Sequence, residues 1–358
     1  MRCFMYKDII TKYKSNPIIK PEDIKTYNEE LEVFGVLNPG ATRYKEKVIL
    51  LLRVALKPRD EKGWIKIFVA DKYNDYNLKI LKWKKLKSLK LLSDDKRYID
   101  INDKRYLTSI SVFYLAESFD GLNFTISPDP VFFPATDYEI YGVEDPRISK
   151  IEDDYFITYT AVSDNGFCVA LASTKDFISF NRHGIIFPPE NKDVALFPER
   201  INEKYFSLHR PTVSFMGKPS IWISESRDLL HWGNHQILLS PQNNKWEKNK
   251  IGAGPEPILT DKGWLALYHS CGDDESYSMS AILLDKNSPA KIIGKSKKPI
   301  LLPENKYEKE GVVRNVVFSN GWVELENKLL IYYGAADKYI ALAETSVNSL
   351  LSLILPIG

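Results

Sequence analysis

The chain has 358 residues, 44% of them hydrophobic and 12% aromatic, and its 49 Lys+Arg against 47 Asp+Glu leave a net charge of +2 with a pI near 8.1. That is material for one large core or two ordinary ones, and the charge is too balanced for a dedicated nucleic-acid binder. Cys3, Cys168 and Cys271 are scattered, odd in number and without metal-ligand spacing, which fits a reduced compartment and argues against a disulfide framework.

The opening MRCFMYKDIITKYK carries charge throughout and offers no apolar h-region. The best apolar run, Val48 to Leu52, stops at Arg53, far short of membrane length. The expected setting is the cytoplasm, with no membrane and no nucleic-acid partner. Residues 1–30 form an N-terminal extension with helical character around Pro21-Glu22-Asp23-Ile24, expected to pack over the main domain or a neighbouring subunit.

From there one pattern is written five times: an apolar, β-branched or aromatic run, a turn, then a second run ending in a small or acidic residue. The pairs are Val48–Leu52 with Phe113–Asp120, Tyr155–Tyr159 with Val169–Asp176, Tyr205–His209 with Ile221–Asp228, Trp264–Tyr268 with Ala281–Asp285, and Leu329–Tyr333 with Ile340–Thr345. Short strands separated by signals such as Asp164-Asn165-Gly166 indicate an all-β fold. A strand-built repeat of roughly 40–60 residues predicts propeller blades. The expectation is a single five-bladed β-propeller over 1–358, with a β-sandwich as the alternative. Only the first copy is stretched, by an enlarged connection at 57–106. Its run Leu81–Lys90 interleaves Lys with Leu and Trp and reads as a solvated strand or an oligomer contact, though such a run can also meet acidic lipid or nucleic acid.

The segment Gly142-Val143-Glu144-Asp145-Pro146-Arg147-Ile148 carries the most chemistry. Proline fixes its own φ and has no N–H, so it suits the first residue of a strand. Asp145 is then expected on a stiff turn at a sheet end, with Arg147 keeping its carboxylate ionised or orienting it. Placing the repeats in register puts further polar residues at blade entrances, around one channel: Asn38, Arg53, Lys192, Asp193, Arg210, Lys250, His269 and Asp337. Singly, each has a plain structural reading, such as a paired Arg53, a core His269 or a loop Lys192. Their shared place in the repeat points to a pocket, because a scaffold needs no cations facing a channel.

Gly142–Arg147, Leu208-His209-Arg210-Pro211, Lys250-Ile251-Gly252-Ala253-Gly254-Pro255 and Tyr332-Tyr333-Gly334-Ala335-Ala336-Asp337 resemble glycoside hydrolase family 130, the inverting β-mannoside phosphorylases with some mannosidases among them. The resemblance runs from about Asn16 to Glu344 and implies a five-bladed propeller. It implies that Asp145 is the general acid, passing its proton to the glycosidic oxygen through the mannose 3-hydroxyl. It implies that Asn38, Arg53 and Asp337 hold the mannose ring, and that Lys192, Arg210, Lys250 and His269 receive phosphate. Lys192 departs from an arginine often found there, which keeps the charge but not a bidentate grip. Glu256 and Ser270-Cys271 also depart from the family pattern.

An inverting displacement needs an acid on one side of the anomeric carbon and a nucleophile on the other. Phosphate is already an anion, so cations to desolvate and aim it replace the base that water would need. The expected reaction converts a β-mannoside and phosphate into α-mannose 1-phosphate and a shortened sugar, with no metal or cofactor, phosphate being a co-substrate. The stretches 31–38 and 191–198 look most like the branch acting on β-1,2-mannobiose or β-1,2-oligomannan. Alternatives are β-1,4-mannosyl-glucose or β-1,4-mannooligosaccharide phosphorolysis, an inverting β-mannosidase with Glu256 or Glu199 as base, an invertase-like furanosidase, and a non-catalytic binding platform. Acceptor length and homo-oligomerisation stay open.

Overall fold

A computed structural model describes residues 9–85, 97–213 and 215–357. Five antiparallel sheets follow one another along the chain, and their first strands, Leu31–Tyr44, Val143–Ile151, Asn191–Leu196, Lys250–Ala253 and Val317–Leu325, form the inner wall of a ring. The fold is the expected five-bladed propeller, which removes the sandwich alternative. The apolar runs paired in the sequence are the second and third strands of each blade, for example Lys47–Pro58 with Ile110–Ser118 in blade one and Lys328–Ala335 with Tyr339–Thr345 in blade five.

Those second strands read as continuous apolar runs because both faces are covered. Val48, Leu50, Leu52, Val54 and Leu56 point into the core shared with blade five, while Ile49 and Leu51 point into the core shared with blade two. Each such side chain contributes about 2 kcal/mol by leaving water. Arg53 therefore does not close its strand, as the sequence suggested, but interrupts one that runs on to Pro58.

The N-terminal extension does more than pack over the ring. Thr11–Lys12 pairs with Tyr339–Thr345 as the outer strand of blade five, so the chain's start closes its last blade. Lys12 Nζ donates to the Leu302 carbonyl at 2.6 Å and to Glu308 at 2.9 Å. The Asn16 side chain mimics a strand by exchanging two bonds with the Leu342 backbone, at 2.8 and 2.9 Å. The expected helical character shrinks to a 3₁₀ turn at Pro21–Asp23. At the other end, Ile354–Pro356 adds a strand to the edge of blade four.

The enlarged connection spans the gap between Pro58 and Ile110 and carries two hairpins, Trp64–Asp71 with Asn77–Lys84 and Tyr98–Ile101 with Lys104–Leu107. Half of the basic run, Leu86 to Lys90, lies outside the described residues; Lys82 pairs with Glu61 at 2.7 Å on an exposed hairpin face.

Innermost strands of blades one, two and three share one irregularity. Asn38-Pro39, Asp145-Pro146 and Asp193-Val194 each place two residues opposite one on the second strand. Such a bulge leaves the extra residue unpaired and re-aims its side chain. The first bulge residue has φ of 45° at Asn38, 51° at Asp145 and 57° at Asp193. Asn and Asp tolerate this left-handed region better than other residues with a Cβ. Pro146 thus sits inside a strand and not at its start: the bulge spares the one position where a missing N–H costs nothing.

Candidate active site

The three bulges turn Asn38, Asp145 and Asp193 toward one cavity at the mouth of the channel. Its volume is about 880 Å³, and all eight residues expected at the site line it: Asn38, Arg53, Asp145, Lys192, Arg210, Lys250, His269 and Asp337. Arg53, Arg210 and His269 reach it from second strands, and Asp337 from the turn joining Ala335 to Tyr339.

Asp145 is held by two donors on one oxygen: Asn38 Nδ2 at 2.9 Å and Arg53 at 2.8 Å. Arg53 also donates to Glu144 Oε1 at 2.7 Å and to Ser111 Oγ at 3.0 Å. Burial alone would raise the Asp145 pKa, but the charges of Arg53 and Lys192 and the bonds from Asn38 and Arg53 outweigh it, and the carboxyl is held below its ordinary range. Arg53 in turn is kept charged: burial disfavours its cation, and Glu144, Asp145 and Asp337 more than compensate. Asp337 goes the other way. Burial pushes its pKa up, Arg53 and Arg97 oppose that, and repulsion from Asp145 and Glu144 adds to the rise.

Arg147 does not orient the Asp145 carboxylate as its position in the sequence suggested. On the far side of the bulge, its NH1 donates to the Asp145 carbonyl at 3.3 Å. Its other nitrogens bond the carbonyls of Gly254 and Ala253 at 2.7 and 2.8 Å and Asp193 Oδ1 at 3.2 Å. It braces the acid's backbone against blade four.

Asp193 is the hub of the opposite wall. Its Oδ2 accepts from Arg210 Nε at 2.5 Å and lies 3.5 Å from His269 Nε2. Burial would raise its pKa, yet Arg210, His269 and Arg147 drive it far down, so it is a fixed anion. Gly252 makes room for this arrangement, since a Cβ there would collide with Asp193 Oδ2 and His269 Cε1. Lys192 Nζ sits 3.4 Å from Glu144 Oε2 and 4.5 Å from the Phe167 ring centroid, a cation–π placement that holds a lysine where an arginine would have used its fork. Lys250 stands 4.9 Å over Tyr277, its pKa lowered by burial and by Arg210.

His269 corrects one expectation. Burial, reinforced by Arg210, Arg147 and Lys250 against the pull of Asp193, lowers its pKa to about 3. It packs 4.4 Å from Phe318 and is a neutral imidazole at physiological pH. The cations of the wall are Lys192, Arg210 and Lys250, with His269 a neutral partner beside them.

Glu256 and Glu199, considered as bases for a hydrolase, do not line the cavity; Glu199 is exposed. The Glu256 carbonyl accepts from Trp322 Nε1 at 2.9 Å, and its Oε2 is sealed without a partner. Burial raises its pKa well above the ordinary range. A carboxyl raised on folding stabilises fully below its unfolded pKa and loses that contribution as pH rises through the folded one. Glu256→Gln is therefore expected to raise Tm by about 2 °C or more at pH 8 and to leave it nearly unchanged at pH 4, measured by calorimetry.

The sequence placed Asp193 at a blade entrance but gave it no role, and it missed Glu144, Phe167 and Tyr277. The structure gives Asp193 the same left-handed bulge position as Asn38 and Asp145.

The model of glycoside hydrolase family 130, described as β-1,4-mannooligosaccharide phosphorylase, matches residues 106–355. The chain belongs to this family. It is 40% identical to a β-1,2-mannobiose phosphorylase of Listeria innocua over 354 residues, 96% of this chain and 97% of that protein. It is 41% identical over 242 residues to a 1,2-β-oligomannan phosphorylase of Thermoanaerobacter, covering 67% of this chain and 80% of the relative. The Listeria enzyme, solved with β-1,2-mannobiose, superposes with a TM-score of 0.91 over 96% of this chain and 98% of its own, at 38% identity. A β-1,4-mannooligosaccharide phosphorylase of Ruminococcus albus is 35% identical over 66% of this chain and 73% of its own. The expected family, fold and class of mannoside phosphorylase all hold.

Proposed function

We propose that this family 130 enzyme cleaves β-1,2-linked mannobiose or oligomannan with inorganic phosphate, inverting the anomeric centre to give α-mannose 1-phosphate. The observation that carries this reading is the division of one cavity into two walls. On one side Asp145, Asn38, Arg53 and Asp337 offer a carboxyl and hydrogen-bonding groups suited to a sugar ring. On the other, Lys192, Arg210 and Lys250 offer positive charge, with Asp193 fixing Arg210 in place. Phosphate held on the cationic wall attacks C1 as the C1–O bond to the acceptor breaks, and the proton of Asp145 goes to the departing oxygen.

The low pKa of Asp145 in the free enzyme fits this scheme. An ionised Asp145 with dihydrogen phosphate carries the same number of protons as a protonated Asp145 with hydrogen phosphate. Phosphate also offsets the charge of Lys192, one of the groups depressing the acid. The proton thus arrives with the second substrate. No metal or cofactor enters this scheme.

The β-1,2 linkage is supported by the relatives similar over most of the chain, against the more distant β-1,4 enzyme. A cytoplasmic setting is supported by Cys168 and Cys271, both buried and unpaired. Among the described residues no helix is long and apolar enough to cross a membrane. The reverse reaction tests the proposal. Supplied with α-mannose 1-phosphate and an acceptor panel, the enzyme is expected to release phosphate with mannose or β-1,2-mannobiose and to form a β-1,2 bond by NMR. A β-1,4 product on glucose or β-1,4-mannobiose would reassign the substrate.

A further inference from the structure

The enlarged connection of blade one, whose run Leu81–Lys90 was expected to be a solvated strand or an oligomer contact, also reaches the active site. Its second hairpin, Tyr98–Ile101 with Lys104–Leu107, leads straight into the third strand at Ile110. Arg97 stands at the base of that hairpin, where its carbonyl accepts from Thr108 N at 3.0 Å. Lys104 at the tip ties the hairpin to blade two through Asp164 at 2.8 Å. Arg97 lines the same cavity as Lys250, Tyr277 and Asp337, which belong to blades four and five. Its charge acts on all three groups: it helps hold Asp337 down against burial, and it lowers the pKa of Lys250 and opposes the rise at Tyr277. Arg97 thus brings a guanidinium from blade one into the lining of the cavity that holds Lys250, assigned to phosphate, and Asp337, assigned to the sugar.

We propose that Arg97 is a further ligand of the phosphoryl group, closing over phosphate in the forward direction and over the phosphate of α-mannose 1-phosphate in reverse. This rests on the phosphorolytic reading of the same cavity. A guanidinium suits the role because its planar fork grips two phosphate oxygens at once. It also supplies, from another blade, the bidentate grip that the single ammonium of Lys192 does not offer. Arg97 is exposed at the mouth, so water screens it more than the buried Arg210.

Steady-state kinetics of Arg97→Ala and Arg97→Lys test this. In Arg97→Ala the KM for phosphate and for α-mannose 1-phosphate is expected to rise on the order of 10-fold, with the KM for the mannoside within about twofold. Arg97→Lys should recover part of the loss, since it returns the charge without the fork. The shift in Tm that phosphate produces should shrink in Arg97→Ala. A phosphate KM unchanged in Arg97→Ala overturns the inference, as does a rise confined to the mannoside or to the acceptor. Absence of phosphate-dependent turnover in the wild type overturns the phosphorolytic reading itself, and this inference with it.

Discussion

Asp145→Asn is expected to lower kcat on the order of a thousandfold while leaving the protein folded and able to bind both substrates. The amide has the carboxylate's shape, and its oxygen can still accept from Asn38 Nδ2 and Arg53, whose present distances are 2.9 and 2.8 Å. Arg53 keeps its second partner, Glu144, at 2.7 Å. What disappears is the proton for the departing oxygen. A mannoside whose leaving group needs no proton, such as a nitrophenolate, should therefore retain far more activity in the variant than mannobiose does. Equal losses on both substrates would show that Asp145 acts by holding the sugar and not by acid catalysis. The pH dependence has a sign of its own. A carboxyl whose pKa falls on folding stabilises above the ordinary aspartate range and loses that contribution as pH drops through the folded-state value. Asp145→Asn should thus unfold less steeply in acid than the wild type, measured by Tm between pH 5 and pH 2.5.

The repeat that made the fold legible is the signature of strands covered on both faces. Val48 to Leu52 shows no alternation because even and odd positions enter different inter-blade cores. Five such runs at similar spacing are enough to count blades. The site was legible for a related reason: polar residues at equivalent repeat positions must converge wherever a ring closes. Local geometry was less accessible. Asp145-Pro146 reads as a strand start, because a bulge inside a strand spares the same N–H that a strand start does. The pairing of Asp145 with Arg53 and not with Arg147 follows from that bulge, which sends side chains on its two sides to different neighbours. The neutrality of His269 was also invisible, since it depends first on burial and then on three cations that approach from elsewhere in the chain. So was the place of Arg97 in the cavity lining, because it sits in the enlarged connection, which the fivefold repeat does not cover.

Arg210 carries the second large effect, through the anion that fixes it. Arg210→Lys keeps a positive charge yet is expected to raise the phosphate KM on the order of 100-fold, and Arg210→Ala further still. In the wild type Nε is committed to Asp193 Oδ2 at 2.5 Å, which aims the rest of the guanidinium and leaves its other nitrogens to meet an anion. A lysine has a single nitrogen; satisfying Asp193 takes it from phosphate, and meeting phosphate strands a buried carboxylate. Asp193 would then retain Arg147 at 3.2 Å and the neutral His269. The KM for the mannoside should stay within about threefold, because the residues around Asp145 are fixed by Asn38 and Arg53 from another blade and distant independent sites behave additively. Parallel loss of mannoside and phosphate affinity would mean that the two walls form a single coupled network through Arg147, which bonds both Asp193 and the Asp145 carbonyl. Arg147→Lys then discriminates: with independent walls it costs stability first, whereas with coupled walls it reproduces the losses of Arg210→Lys on both substrates.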